Sequence, residues 1–111
     1  MELQPNCSES VVRIKTDNLT HKEKDQILNL LEEMRKTEDM NETELFEFQK
    51  KKKWVNERWV WYETLINEKS IFGTNLIEIK GEVPYNCYDW LMDGLKKLPF
   101  YNKLKVEEDG P

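Results

Sequence analysis

Residues 54–66 read WVNERWVWYETLI, and the fold depends on how this stretch is interpreted. Trp, Val and Tyr favour strands, but alternate residues of a half-buried strand should form one apolar and one polar face. Neither face is clean, because Val60 falls beside Arg58 and Leu65 beside Glu63. A helix instead aligns apolar residues at spacings of seven, four, three and four, namely Phe48, Val55, Trp59, Tyr62 and Ile66.

We therefore predict one helix over residues 42–69, which contain neither Gly nor Pro. A strand at 54–66 is the alternative. It would give the element order β-α-β-β-α-β, the ferredoxin-like split βαβ arrangement.

The residues before this stretch predict a strand and a helix. Val12 and Ile14 alternate with charged residues over 11–16, which is typical of a half-buried strand. Thr20 and Glu23 form a capping-box signal, and an apolar stripe follows, made of Ile27, Leu30, Leu31 and Met34. This helix should end near residue 37, and Asn41 with Glu44 repeats the start signal.

The residues after this stretch predict two strands and a last helix. FGTN, residues 72–75, is typical of a turn, and alternation at 76–80 and 103–107 predicts strands. Gly81 should end the first of these strands, and Pro99 should end the helix between them. The stripe of that helix consists of Tyr88, Leu91, Leu95 and Leu98.

These elements predict an α+β protein. We expect a two-layer sandwich in which helices cover one face of a small sheet of three or four strands. Residues 11–107 should form a single domain, with a flexible N-terminal tail at 1–10 and a C-terminal tail at 108–111. The chain has 111 residues, which suits one domain.

The cysteines and the apolar runs indicate the compartment. Cys7 and Cys87 form no disulfide framework, and the first residues lack a signal-peptide pattern. No apolar run reaches the roughly 18 residues of a membrane span. We therefore expect a cytoplasmic protein that does not contact membranes.

The residue types with catalytic or metal-binding chemistry are few. His21 is the one histidine, and no cysteine lies at metal-ligand spacing from it. Neither a phosphate-binding glycine loop nor a nucleophile elbow is present in the sequence. We predict no metal, no cofactor and no enzymatic activity.

Charge is distributed unevenly along the chain, whose net charge is −5. Residues 17–47 hold ten acidic and four basic residues, whereas residues 48–58 hold one acidic and five basic residues. Carboxylates on two helices could imitate a phosphate backbone or simply form a solvated face. The predicted acidic face consists of Glu32, Glu33, Glu38, Asp39, Glu42, Glu44 and Glu47.

On the predicted helix, Trp54, Trp61 and Leu65 form a second apolar stripe, and Arg58 lies beside it. A second stripe is either core or an interface, and Trp and Arg are frequent interface anchors. These four residues are the predicted partner-binding site. The alternative is a single-stranded nucleic-acid site that combines Trp54 and Trp61 with four lysines, namely Lys50, Lys51, Lys52 and Lys53.

Composition also bears on origin. The chain has no alanine, and lysine outnumbers arginine 14 to 3, a bias typical of AT-rich coding. Together with the small size and acidity, this favours a protein-binding regulator or inhibitor encoded by a phage or mobile element. We expect its target to be a host protein that processes nucleic acids.

Overall fold

The structure is a computed structural model that describes residues 7–52, 59, 62–84 and 88–109. In chain order, the described α-helices and strands are β1 (Cys7–Lys15), α1 (His21–Arg35), α2 (Glu42–Lys51), β2 (Tyr62–Ile71), β3 (Thr74–Pro84), α3 (Tyr88–Leu95) and β4 (Lys105–Asp109). The described residues also include two 3₁₀ helices, Lys36–Asp39 and Tyr101–Lys103.

The four strands form one sheet in the order β2-β3-β1-β4, and every neighbouring pair is antiparallel. β3 therefore lies between β1 and β2, and these two strands run parallel to each other. β1 in turn lies between β3 and β4, which also run parallel to each other. The predicted α+β class is confirmed. Apart from the added α2, the element order is that of the alternative β-α-β-β-α-β arrangement.

The core lies between the helices and one face of the two central strands. Val12 pairs with Ile79, and Ile14 pairs with Ile77; all four side chains are fully buried. Each contributes about 1.5–3 kcal/mol by leaving water. The predicted helix stripes complete this core through Ile27, Leu30, Leu31, Met34, Leu91 and Leu95.

Both predicted helix starts are confirmed as capping boxes. The Glu23 backbone N–H donates to Thr20 Oγ1 at 3.1 Å, and the Thr20 N–H donates to Glu23 Oε1 at 2.9 Å. Asn41 and Glu44 make the equivalent bonds at the start of α2, at 2.8 and 3.0 Å. These bonds satisfy amides that have no partner within a helix.

The predicted helix over 42–69 is wrong. α2 ends at Lys51, and Tyr62–Ile71 forms strand β2. Pairing with β3 places Ile66 opposite Ile79, so that Ile66 packs against the core. Long-range pairing satisfies the backbone of β2 and overrides the local helical spacing.

Trp59 packs in the core, with 1% of its surface exposed. Its backbone N–H donates to Thr37 Oγ1 at 2.7 Å, and its indole Nε1–H donates to Thr64 Oγ1 at 3.0 Å. The Thr37 hydroxyl in turn donates to the Met34 carbonyl at 2.8 Å. Trp59 thus joins the end of α1 to the beginning of β2.

The strands extend further than the sequence predicts. β1 begins at Cys7 and β4 ends at Asp109, so both enter the predicted tails. β1 extends because β3 continues through Gly81 and pairs Pro84 with Cys7, and β4 extends because Asp109 pairs with Val11 of β1. A strand that finds a partner remains ordered beyond its apolar alternation.

We predict that Thr37→Val destabilises the protein by about 1–3 kcal/mol, because the buried Trp59 amide loses the Thr37 hydroxyl as its acceptor. Valine keeps the shape of threonine, so the loss reports the hydroxyl. Urea unfolding followed by Trp fluorescence measures it. Thr43→Val, at an exposed position of α2, is the control and should change stability by less than about 0.5 kcal/mol.

Candidate partner-binding surfaces

Strand β2 is an edge strand that carries exposed apolar side chains. Leu65 is 59% exposed and Ile71 is 37% exposed. Both occupy odd positions and therefore point to the same side of the sheet. They lie about 20 Å apart along the strand, and we call them the β2 apolar row.

Leu65 points outward because it alternates with the inward-facing Thr64 and Ile66, directly after an irregularity at the start of β2. The register with β3 shifts between Tyr62 and Leu65, and Glu63 has a positive φ of 51°. Such a bulge changes which side chains point inward. Thr64 is buried, where it accepts the Trp59 indole hydrogen bond, and Leu65 is consequently left outside.

The β2–β3 hairpin ends in a two-residue loop, Phe72–Gly73, closed by the pair Ile71 and Thr74. Both loop residues have positive φ, 50° and 80°, the signature of a type I′ turn. Left-handed backbone costs a residue with a Cβ about 1–2 kcal/mol. The Phe72 side chain is also fully exposed.

Next to its turn, this hairpin is fixed to the loop between β1 and α1. The Asp17 carboxylate accepts from the Asn75 backbone N–H at 3.1 Å and from Asn75 Nδ2 at 3.0 Å. The Thr16 N–H donates to the Asn75 carbonyl at 2.9 Å. The hairpin tip is therefore held next to the N-terminus of α1.

A cleft of about 470 Å³ lies beside the hairpin tip. Its charged groups have partners: Lys24 Nζ lies 2.9 Å from Glu68 Oε1, and the hydrogen bond to Glu68 raises the pKa of Lys24. His21, in the first turn of α1, lines this cleft. The other lining residues are Thr16, Asp17, Leu19, Thr20, Lys69, Ser70, Asn75 and Leu76.

A buried carboxylate, Glu78, lies on the sheet face opposite to Ile77 and Ile79. Its side chain is 5% exposed, with Arg13 Nε at 3.3 Å and Lys69 Nζ at 2.7 Å. Burial raises the pKa of Glu78, but the two cations outweigh burial and hold the pKa below its ordinary value. The alternation at 76–80 assigns Glu78 to a polar face, whereas the structure buries it.

The predicted acidic face lies at the C-terminal end of α1 and at the beginning of α2. We call it the acidic corner: Glu32, Glu33, Glu38, Asp39, Glu42, Glu44 and Glu47. All are exposed except Glu33, which is half-buried. Local cations pair with Glu32, Glu33 and Glu47 at 3.3–3.5 Å. α1 is about 22 Å long, and the acidic corner and the hairpin tip lie at its opposite ends.

The predicted nucleic-acid site is described only in part. Lys50 Nζ lies 3.3 Å from Glu47 Oε1 and 4.4 Å from the centre of the Phe46 ring. Lys52 Nζ lies 3.4 Å from Glu33 Oε1, and Lys51 is exposed. Lys53 lies outside the described residues.

Of the predicted partner-binding residues, the structure describes Leu65, which lies on a strand. Trp54, Arg58 and Trp61 lie outside the described residues. The sequence pattern at 72–75 predicts only a turn, so it does not identify Ile71 and Phe72 as surface residues. The available signal was a phenylalanine directly before Gly73, where type I′ turns favour Asn or Asp.

In the described part of the chain, no group of His, Cys, Asp and Glu residues could hold a metal ion. No described helix is long and apolar enough to cross a membrane.

No protein-family model, curated protein or solved structure matches this chain.

We predict that Glu78→Gln lowers the free energy of unfolding at pH 7 by about 1–3 kcal/mol, because Arg13 and Lys69 lose a charged hydrogen-bond partner. A carboxylate with a lowered pKa stabilises the fold above its unfolded pKa, about 4.5, and this contribution disappears as the pH falls. The difference between wild type and variant should therefore shrink from pH 7 to pH 3.

Urea unfolding at both pH values measures this difference. Glu107→Gln, at an exposed position of β4, is the control and should have a small effect at either pH. An unchanged difference between pH 7 and pH 3 would contradict the ion-paired state of Glu78.

We predict that Asp17→Ala loosens the hairpin tip without unfolding the protein. The Asn75 amide would lose its carboxylate acceptor, so its hydrogen exchange should accelerate at least tenfold, as measured by NMR. Asp25→Ala, at an exposed position of α1, should leave that rate unchanged. Equal exchange rates of the Asn75 amide in Asp17→Ala and Asp25→Ala would show that Asp17 does not fix the tip.

Proposed function

We propose that this protein is a small protein-binding regulator or inhibitor without catalytic chemistry of its own. The observation that carries the proposal is the β2 apolar row, Leu65 and Ile71, exposed on an edge strand. An exposed apolar side chain on an edge strand can contact the side chains of a partner segment that pairs with that edge. An edge strand also offers backbone N–H and C=O groups to a partner.

The expected occupant is an extended segment of a partner protein. β2 is ten residues long and, among the described strands, pairs with β3 alone. A segment added to its outer edge would gain main-chain hydrogen bonds, and Leu65 would supply apolar contact to alternate side chains. Specificity would then come from those side chains.

Charge supports a basic partner. The chain carries a net charge of −5, and the acidic corner exposes six carboxylate side chains. Complementary charge mainly accelerates association and selects partners. A host protein that processes nucleic acids presents a basic surface of this kind, so it remains the proposed target.

The alternative function is single-stranded nucleic-acid binding through Lys50–Lys53, Trp54 and Trp61. Two described observations weigh against it. Lys50 and Lys52 lie within 3.4 Å of carboxylates, and Trp59, next to this cluster in sequence, is buried and so is not available to stack on bases. Loss of captured material after nuclease treatment would favour this alternative.

We predict that Leu65→Asp abolishes partner capture while the protein stays folded, because the change places a charge on the apolar row. The tagged protein would be used to capture partners from nuclease-treated extract of the source organism. Circular dichroism would check that the variant is folded. The yield of a stoichiometric partner would be compared between Leu65→Asp and the wild type.

The matched control is Asn102→Asp, which adds the same charge at an exposed position of the 3₁₀ helix that precedes β4, the strand at the opposite edge of the sheet. It should retain the partner. Equal capture by Leu65→Asp and the wild type would contradict the proposal, as would the absence of any stoichiometric protein in the wild-type sample.

A further inference from the structure

The tip of the β2–β3 hairpin combines two unfavourable features in one residue. Phe72 has a φ of 50°, and for a bulky side chain this left-handed backbone is a rare outlier. Its ring is fully exposed, so burial within the fold does not compensate. Strain and exposure at one position point to a role outside the folding of the chain.

We infer that Phe72 is an anchor that inserts into an apolar pocket on the partner protein, an inference that rests on the proposed function. Aromatic side chains are enriched at the centres of protein interfaces. Ile71, directly before Phe72, is also partly exposed and adds apolar surface near the tip of the hairpin. The anchor thus continues the β2 apolar row to the end of the hairpin.

The hairpin fixes the backbone position of Phe72. A two-residue loop leaves little freedom between Ile71 and Thr74, and Asp17 holds Asn75 from the adjacent loop. A preorganised anchor loses little conformational entropy when it binds. Such preorganisation favours the entry of an aromatic ring into a pocket of defined shape.

The charges around the tip fit a protein pocket better than a membrane. Lys24 pairs with Glu68, and Lys69 pairs with Glu78, so the flanks carry no excess of positive charge. An anionic membrane surface attracts clustered basic residues and would repel a chain of net charge −5. The partner is therefore a folded protein with an apolar pocket the size of one aromatic ring and a polar rim.

Phe46 provides an internal comparison. It is 58% exposed on α2, but Lys50 Nζ lies 4.4 Å from the centre of its ring. Phe46 lies within the regular helix α2. The described non-glycine residues with positive φ are Glu63 and Phe72. Phe46→Gln therefore removes an exposed ring without relieving left-handed strain, and it serves as the matched control.

The test is Phe72→Asn, because Asn before Gly is the preferred type I′ sequence. The variant should unfold at a higher urea concentration than the wild type, since the strain at residue 72 is relieved. Its affinity for the captured partner, measured by calorimetry, should fall at least tenfold. Phe46→Gln should bind with unchanged affinity.

A gain in stability with unchanged partner affinity would overturn the anchor but leave the proposed function intact, since Leu65→Asp would still abolish binding. A loss of stability would show that Phe72 contributes to its own fold, which also overturns the inference. If the wild type captures no protein partner, both the anchor and the proposed function are wrong.

Two further measurements exclude other occupants of the tip. Sedimentation equilibrium should show the same mass for the wild type and Phe72→Asn; a wild-type dimer lost in the variant would identify a second copy instead. Vesicles that contain one-third phosphatidylserine should not bind the wild type. Binding to these vesicles that depends on Phe72 would assign the tip to a lipid surface and overturn the pocket.

Discussion

Trp59 donates its backbone N–H to the Thr37 hydroxyl and its indole N–H to the Thr64 hydroxyl. A buried tryptophan needs a partner for each donor, so these bonds fix where the chain after α2 returns to the sheet. They also hold Thr64 inward at the bulge of β2. The exposure of Leu65 on the outer side follows from that arrangement.

The register of β2 has consequences at the far end of the hairpin. With Ile66 opposite Ile79, the pairing leaves two residues for the turn, and these two must adopt positive φ. Phe72 occupies the first of them. The strain at the tip therefore arises from a pairing that the core requires, and Asp17 holds the resulting conformation in place.

The two ends of α1 present different chemistry. At its N-terminal end lie the hairpin tip and a cleft whose charged side chains have local partners. At its C-terminal end lies the acidic corner, where six carboxylate side chains are exposed. Apolar anchors supply binding energy, whereas charge governs association rate and selectivity, so under the proposed function the two ends would have complementary roles.

Local sequence patterns are enough to predict both capping boxes, the apolar stripe of α1 and the strands that carry Ile14 and Ile77. Only long-range contacts explain why residues 62–71 form strand β2 and why Glu78 is buried. They also explain the need for glycine at position 94, where a Cβ would lie 2.9 Å from Met34 Sδ. Capping and periodicity act between residues a few positions apart. Strand pairing, ion pairing across strands and helix contact join residues distant in sequence, and this tertiary context overrides local preference.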